Sequence, residues 1–265
     1  MNITTELREK ILGENVRVHA IEAKAYEKLH SEIYNWYEQK ATWRRIQLVD
    51  HLTARKKNRK ALDIGCGTGN ILIKLSDLGF DVIGIDISRQ MLNVLSEKGY
   101  PADRLICTEA DDFLERYEDD KFDVITCGSV LHHLPDYLGC LSKAIRLLNS
   151  GGVLLVTHEP VRAVDQQQNK SHLSLWAAVH RLSGAMHALR LYRSRIGWPK
   201  IDYTFSDFHS QDGIQVQELL STLKDKGLQV IELEYYVVEK TGWGALLNSN
   251  ILCRPPNTFS LTMQK

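Results

Sequence analysis

Between Ile21 and Leu52, apolar side chains recur at mostly three- and four-residue spacing: Tyr26, Leu29, Ile33, Trp36, Tyr37, Trp43, Ile46 and Leu48. That period predicts one or two amphipathic helices. A polar, basic stretch over residues 55–60 closes the segment, and then the rhythm changes. Ala61-Leu62-Asp63-Ile64 is a short apolar run that stops at Gly65, with Ile71, Leu72, Leu75 and Leu78 following at helical spacing. This reads as strand, tight turn and helix. The unit recurs with a strand over 81–86 and a helix over 91–98, which Gly99 caps. Further strands are predicted over 104–108, 122–127 and 153–157, with a helix through Leu141, Ile145 and Leu148 before the last of these.

Short apolar strands alternating with amphipathic helices make right-handed βαβ units, hence a mainly parallel sheet covered on both faces. After Pro160 the alternation stops, and roughly fifty residues intervene before a helix predicted over 216–226, far beyond an ordinary connection. Strands over 229–238 and 259–264 complete the count. The expected fold is therefore a doubly wound, seven-stranded α/β sheet, with an N-terminal helical lid (1–55) on a main domain (56–265) and a helical insertion at about 160–214.

Charge narrows the partners. Across 265 residues, Lys and Arg number 33 and Asp and Glu also 33, so no long-range field gathers nucleic acid, and none is expected as a partner. The first twelve residues mix Glu6, Arg8, Glu9 and Lys10 with isolated apolar positions, unlike a signal peptide, and no run approaches the roughly 20 apolar residues of a membrane span. A cytoplasmic protein is expected. The cysteines, Cys66, Cys107, Cys127, Cys140 and Cys253, are odd in number and form no CxxC pair, so neither a disulfide framework nor a metal site is expected.

The candidate chemistry begins where the first strand ends. Asp63-Ile64-Gly65-Cys66-Gly67-Thr68-Gly69 sits at the switch point where open α/β sheets bind ligands. A dinucleotide fingerprint wants its third glycine three positions after the second, but Asn70 stands there and Gly69 comes instead. A carboxylate about twenty residues on, Asp86, can accept hydrogen bonds from two vicinal hydroxyls, or can simply cap the next helix.

On these residues the chain resembles the class I S-adenosylmethionine-dependent methyltransferases, whose first motif is an acidic residue, any residue, then three alternating glycines. Asp63, Gly65, Gly67 and Gly69 match it position by position. The resemblance implies that the loop wraps the methionine half of S-adenosylmethionine and that Asp86, followed by Ile87, holds the ribose. It also implies that an acid after the third strand, Asp111 or its neighbour Asp112, accepts the adenine amino group. The run Gly128-Ser129-Val130-Leu131-His132-His133-Leu134-Pro135-Asp136 resembles the segment lining the sulfonium and the acceptor, and the likeness covers roughly residues 60–158.

Methyl transfer from a sulfonium needs an oriented acceptor and, for a hydroxyl or protonated amine, a base; no metal is obligatory. His132, His133 and His158 stand at the ends of the fourth and fifth strands and are the candidate bases. Adjacent side chains in a helical turn point about 100° apart, so His132 and His133 are not expected to face one substrate together. Tyr26 and Tyr37 on the lid are candidate contacts to the cofactor or acceptor, or else packing aromatics. The insertion carries Arg162, Lys170, Arg181, Arg190, Arg193, Arg195 and Lys200 against Asp165, together with Leu173, Trp176, Leu182, Met186 and Leu189. It suits an anionic or lipid-like small-molecule acceptor, with membrane-surface contact, or forms an ordinary cover helix. A non-catalytic S-adenosylmethionine-binding regulator or partner protein is the alternative class, since binding motifs identify a cofactor and not turnover.

Overall fold

The computed structural model describes residues 3–57, 59–162, 201–210, 212–241, 243–244 and 256–265. The apolar runs become strands β1 (Lys60–Ile64), β2 (Asp81–Asp86), β3 (Leu105–Cys107), β4 (Phe122–Gly128), β5 (Leu148–Pro160), β6 (Gln229–Tyr236) and β7 (Thr258–Gln264). They form one sheet in the order β3-β2-β1-β4-β5-β7-β6. The first five strands run parallel, and β7 lies antiparallel between β5 and β6. The helices are α1 (Thr5–Glu22), α2 (Tyr26–Leu29), α3 (Ser31–Tyr34), α4 (Trp36–Thr53), α5 (Leu72–Asp77), α6 (Arg89–Glu97), α7 (Ala110–Arg116), α8 (Tyr137–Arg146) and α9 (Val216–Asp225).

Strand alternation divides the core into two. Leu62, Ile125, Leu154 and Val156 point to the face covered by α8 and α9, where Leu141, Ile145, Leu219 and Leu223 are buried. Their neighbours Ala61, Val124, Val153 and Leu155 point to the other face, beneath Ile46, Val49, Leu72, Leu75, Leu92 and Leu95 of α4, α5 and α6. A period of two in each central strand is what a sheet packed on both sides requires.

The N-terminal segment divides more sharply than its sequence suggests. Helix α4 contributes Ile46 and Val49 to the sheet's core and so belongs to the α/β sandwich; the cover over the site is built from α1 to α3. Asn35 marks the boundary, its side-chain oxygen accepting from the amides of Tyr37 and Glu38 as an N-cap. Helix α1 was not visible as an apolar pattern because its inward stripe, Ile11, Asn15, Val18 and Glu22, has helical spacing but is half polar. No helix among the described residues is long and apolar enough to cross a membrane. The core of the insertion, with its arginines and leucines between 165 and 200, and Cys253 lie outside the described residues.

Candidate active site

The carboxyl ends of β1 and β4 open into a cleft under α1 to α3. Gly65 and Gly67 both hold left-handed backbone, with φ of 68° and 51°. A β-carbon at Gly65 would lie 2.3 Å from Val130 Cγ2, so only glycine lets the β4 loop close over it. At Gly67 a β-carbon would meet nothing within 4 Å, which leaves bare backbone facing the cleft for a ligand to approach. Gly69 does not line the cleft; its missing side chain makes room for Leu95 and Ile73.

Asp86 lines the cleft and accepts hydrogen bonds from the Gly67 amide at 2.9 Å and the Ser88 amide at 2.8 Å. Burial raises its carboxyl above the usual range, while His19 and those two amides pull it down. Ile87 and Gly128 line the same cleft. Asp63 also borders it but is 2% exposed and takes the Thr126 hydroxyl at 2.6 Å across the β1–β4 pair; burial pushes its carboxyl up to about 7.

Three expectations shift by a few residues. The loop after β3 presents Thr108, Glu109 and Ala110 to the cleft, and not Asp111 or Asp112. Helix α7 begins at Ala110 and turns Asp111 away to Lys143 of α8, 2.9 Å from its carboxylate. Glu109 pairs with Arg8 of α1, which counters the burial that raises its carboxyl. On the cover, Tyr26 reaches the cleft but Tyr37 does not; Tyr34 does, its hydroxyl 3.1 Å from that of Thr68. The short α3 turn places residue 34 inward, whereas residue 37 already belongs to α4.

A second cavity of about 490 Å³ adjoins the cleft. Its own wall includes Glu22, His30, Glu32, His132, Tyr203 and Asp207. His19, Tyr26, Ile33, Ser129, His133 and His158 line both spaces. Two of these shared residues, Ser129 and His158, sit in left-handed backbone with φ of 53° and 57°, a strain of about 1–2 kcal/mol each. The Ser129 hydroxyl donates to the His158 carbonyl at 3.2 Å, holding the two strand ends together.

The three histidines anticipated from the sequence have different surroundings. His132 lines only the second cavity, its Nδ1 lying 2.8 Å from Glu159; burial opposes its charge, but that carboxylate outweighs burial and raises the imidazole's pKa. His133 reaches the shared boundary and donates from Nδ1 to the Ser206 carbonyl, while burial and the neighbouring His132 hold it well below the ordinary histidine range. His158 lies with Nε2 3.3 Å from Glu38 and Nδ1 3.3 Å from the Thr157 hydroxyl, and burial again lowers it.

Two further residues of the site are not among the sequence candidates above. Glu159 is fully buried, and its carboxylate accepts from the amides of Val130, Leu131 and His132 at 2.7, 2.9 and 3.2 Å as well as facing the His132 ring. A β-bulge explains why it points there: Thr157 and His158 together oppose Ser260, between the pairs Val156–Leu261 and Glu159–Phe259. An acid inside an apolar strand was the available signal. His19 of α1 lines both spaces, edge-on to His133 with ring centroids 5.0 Å apart, and burial lowers its pKa. No apolar period marked its helix.

Sheet order and glycine loop define the class, a doubly wound α/β protein with a nucleoside-type cleft at its switch point. A family model described as a methyltransferase domain matches residues 36–233, beginning at the first residue of α4. A demethylmenaquinone methyltransferase from Staphylococcus aureus is 36% identical over 150 residues, 55% of this chain and 61% of the relative, so the match spans less than two thirds of that protein. Among solved structures, the N-methyltransferase NodS from Bradyrhizobium japonicum, in complex with S-adenosyl-L-homocysteine, superposes with a TM-score of 0.54 at 14% identity over 95% of this chain and 98% of NodS. Magnesium protoporphyrin IX methyltransferase from Synechocystis, with bound S-adenosylhomocysteine, gives 0.51 at 15% identity over 95% and 99%. These two show a common fold. The chain belongs to this methyltransferase-domain family.

Proposed function

We propose that the cleft holds S-adenosylmethionine and that the second cavity holds a small-molecule acceptor, which is methylated where the two spaces meet. The observation that carries this reading is the set of side chains common to both: His19, Tyr26, Ile33, Ser129, His133 and His158. The bare backbone at Gly67 suits close approach of the methionine half, and Asp86, with two amides already on its oxygens, keeps lone pairs for two ribose hydroxyls. Glu109 takes the place expected for the adenine contact. Bound S-adenosylmethionine supplies an activated methyl, so the chain's own task is orientation and removal of the acceptor's proton.

We assign that proton to a ring nitrogen of His19. Burial lowers its imidazole's pKa and so favours the neutral form, and the ring lines both spaces, whereas the His158 ring lies between Thr157 and Glu38. Glu22, Glu32 and Asp207 outnumber the protonated His30 in the second cavity and favour a hydroxyl- or amine-bearing acceptor head over an anionic one. Apart from Arg162, the side chains on which the anionic and lipid-like readings rest lie outside the described residues. The name of the S. aureus relative supports a small organic acceptor.

Calorimetric titration with S-adenosylhomocysteine and NAD, followed by labelled methyl transfer to hydroxylated, amine, carboxylated and lipid-like compounds, tests the reading. Binding of the first ligand alone, with transfer to an uncharged or amine acceptor, supports it, and His19→Gln is expected to lower kcat by about 10²–10⁴ with the donor affinity kept. Preference for NAD, or donor binding without transfer to any compound, overturns it.

A further inference from the structure

We propose that His132, His133 and Asp207 form a binding site for one divalent transition-metal cation in the wall of the second cavity. Each offers one ligand atom, and the three atoms lie within 4.8 Å of one another. The residues come from separate parts of the chain. His132 and His133 lie on the turn after β4, and Asp207 on the segment that re-enters before α9; the His209 amide donates to the His132 carbonyl at 2.9 Å and ties the two together.

The surroundings of the two imidazoles distinguish this triplet from a chance cluster. A metal-bound histidine ordinarily donates its other ring N–H to a carboxylate or carbonyl, which fixes ring and tautomer. Both histidines have that partner: the His132 Nδ1 faces the buried Glu159 carboxylate at 2.8 Å, and the His133 Nδ1 donates to the Ser206 carbonyl. One nitrogen of each ring is thereby held, with Asp207 also 3.4 Å from the His133 Nδ1, and the opposite nitrogen of each ring is the one we assign to a cation. Glu159 itself is fixed by three backbone amides, so the first of these supports is rigid.

Charge and space agree with the donor set. Glu159 beneath the site favours positive charge, as does the excess of Glu22 and Glu32 over the protonated His30 between them, and a cavity of about 490 Å³ leaves room for further ligands from water or an acceptor oxygen. Two imidazoles and one carboxylate suit zinc or ferrous iron, whereas magnesium and calcium prefer oxygen alone. The cation site stands on its own residues; only its use in holding an acceptor oxygen rests on the methyl-transfer reading above.

The full chain, stripped with a chelator, is titrated with Zn²⁺ by calorimetry and with Co²⁺ by visible absorption, and S-adenosylhomocysteine is titrated into each sample. One equivalent of either cation is expected. Asp207→Asn and His133→Gln should each weaken Zn²⁺ binding by at least about 10–100-fold, the range that loss of a supporting contact alone can cost, and Glu159→Gln by a factor within it. The Asp207 side chain is 35% exposed, so its substitution keeps the test open even if a histidine variant loses its fold. Failure of the unmodified chain to bind one equivalent, or unchanged Zn²⁺ affinity in Asp207→Asn that still binds S-adenosylhomocysteine, overturns the site. Loss of S-adenosylhomocysteine binding alone, in the unmodified chain, would instead overturn the methyl-donor reading.

Discussion

Glu159 and His132 stand 2.8 Å apart, carboxylate to Nδ1, and join the end of β5 to the loop after β4. With three backbone amides on the same carboxylate, this one side chain shapes the wall between the two cavities. Replacing Glu159 by Gln leaves a single carbonyl acceptor for four donors. A loss of about 3 kcal/mol in chemical denaturation is expected, the low end for breaking a buried charged pair. Unchanged stability would mean that the loop holds its shape without the carboxylate.

Gly67 and Asp86 separate fold from binding. Gly67→Ala adds a β-carbon to open space, so the protein should lose only about 1 kcal/mol for the left-handed backbone while S-adenosylhomocysteine binding largely disappears. Asp86→Ala should weaken the same binding by about 1–3 kcal/mol through lost charge-assisted hydrogen bonds. Calorimetry beside a thermal melt reads both effects.

Glu109 and Asp111 can be told apart by affinity. Glu109→Ala alters a residue lining the cleft and should reduce S-adenosylhomocysteine affinity several-fold, whereas Asp111→Ala removes ion pairs with Lys143 and, at 3.7 Å, with Arg8, neither of which lines the cleft, and should leave it within about twofold. The reverse order would return the adenine contact to α7.

His30 bridges Glu22 at 3.2 Å and Glu32 at 3.1 Å, clamping α1 to α3. Burial opposes its charge, yet the two carboxylates raise its imidazole from 6.5 to about 9. The folded protein therefore binds this proton more tightly than the unfolded chain. The clamp's stabilisation is complete below about pH 6.5 and is lost as pH rises through about 9. His133 has the opposite sign: burial lowers its pKa, the unfolded chain takes the proton more readily, and stability falls as pH drops below about 6.5. Tm followed across pH for the wild type and His30→Gln should show their difference closing at alkaline pH. A constant difference would remove the clamp.

How much of this was legible in the sequence depended on whether a local pattern carried the information. The short apolar runs at Ala61–Ile64 and Val153–Val156 and the apolar stripes of α6 and α8 are local, so sheet, helices and glycine turn could be read directly. The positions of Gly65, Gly67, Asp86 and Ile87 at the cleft followed from that topology, because strand ends at the switch point converge wherever this sheet forms. Asp111 and Tyr37 were misplaced because a shift of two or three residues at a helix start reverses a side chain's direction, and spacing does not fix where α7 or α4 begins.

What the tertiary structure alone decided is the polar architecture of the second cavity. Helix α1 had no apolar period because its inner face meets a cavity, so His19 and Glu22 became visible only once the helix was seated over the sheet. Glu159 turned toward the β4 loop through a bulge set by pairing with β7, a strand about a hundred residues away. His132, His133 and Asp207 approach one another because the last part of the insertion returns to the turn after β4. The sequence determined the elements and the glycine-loop cleft through contacts close along the chain; the second cavity is made by side chains far apart in it, whose burial and charge pairing exist only when the whole sheet has formed.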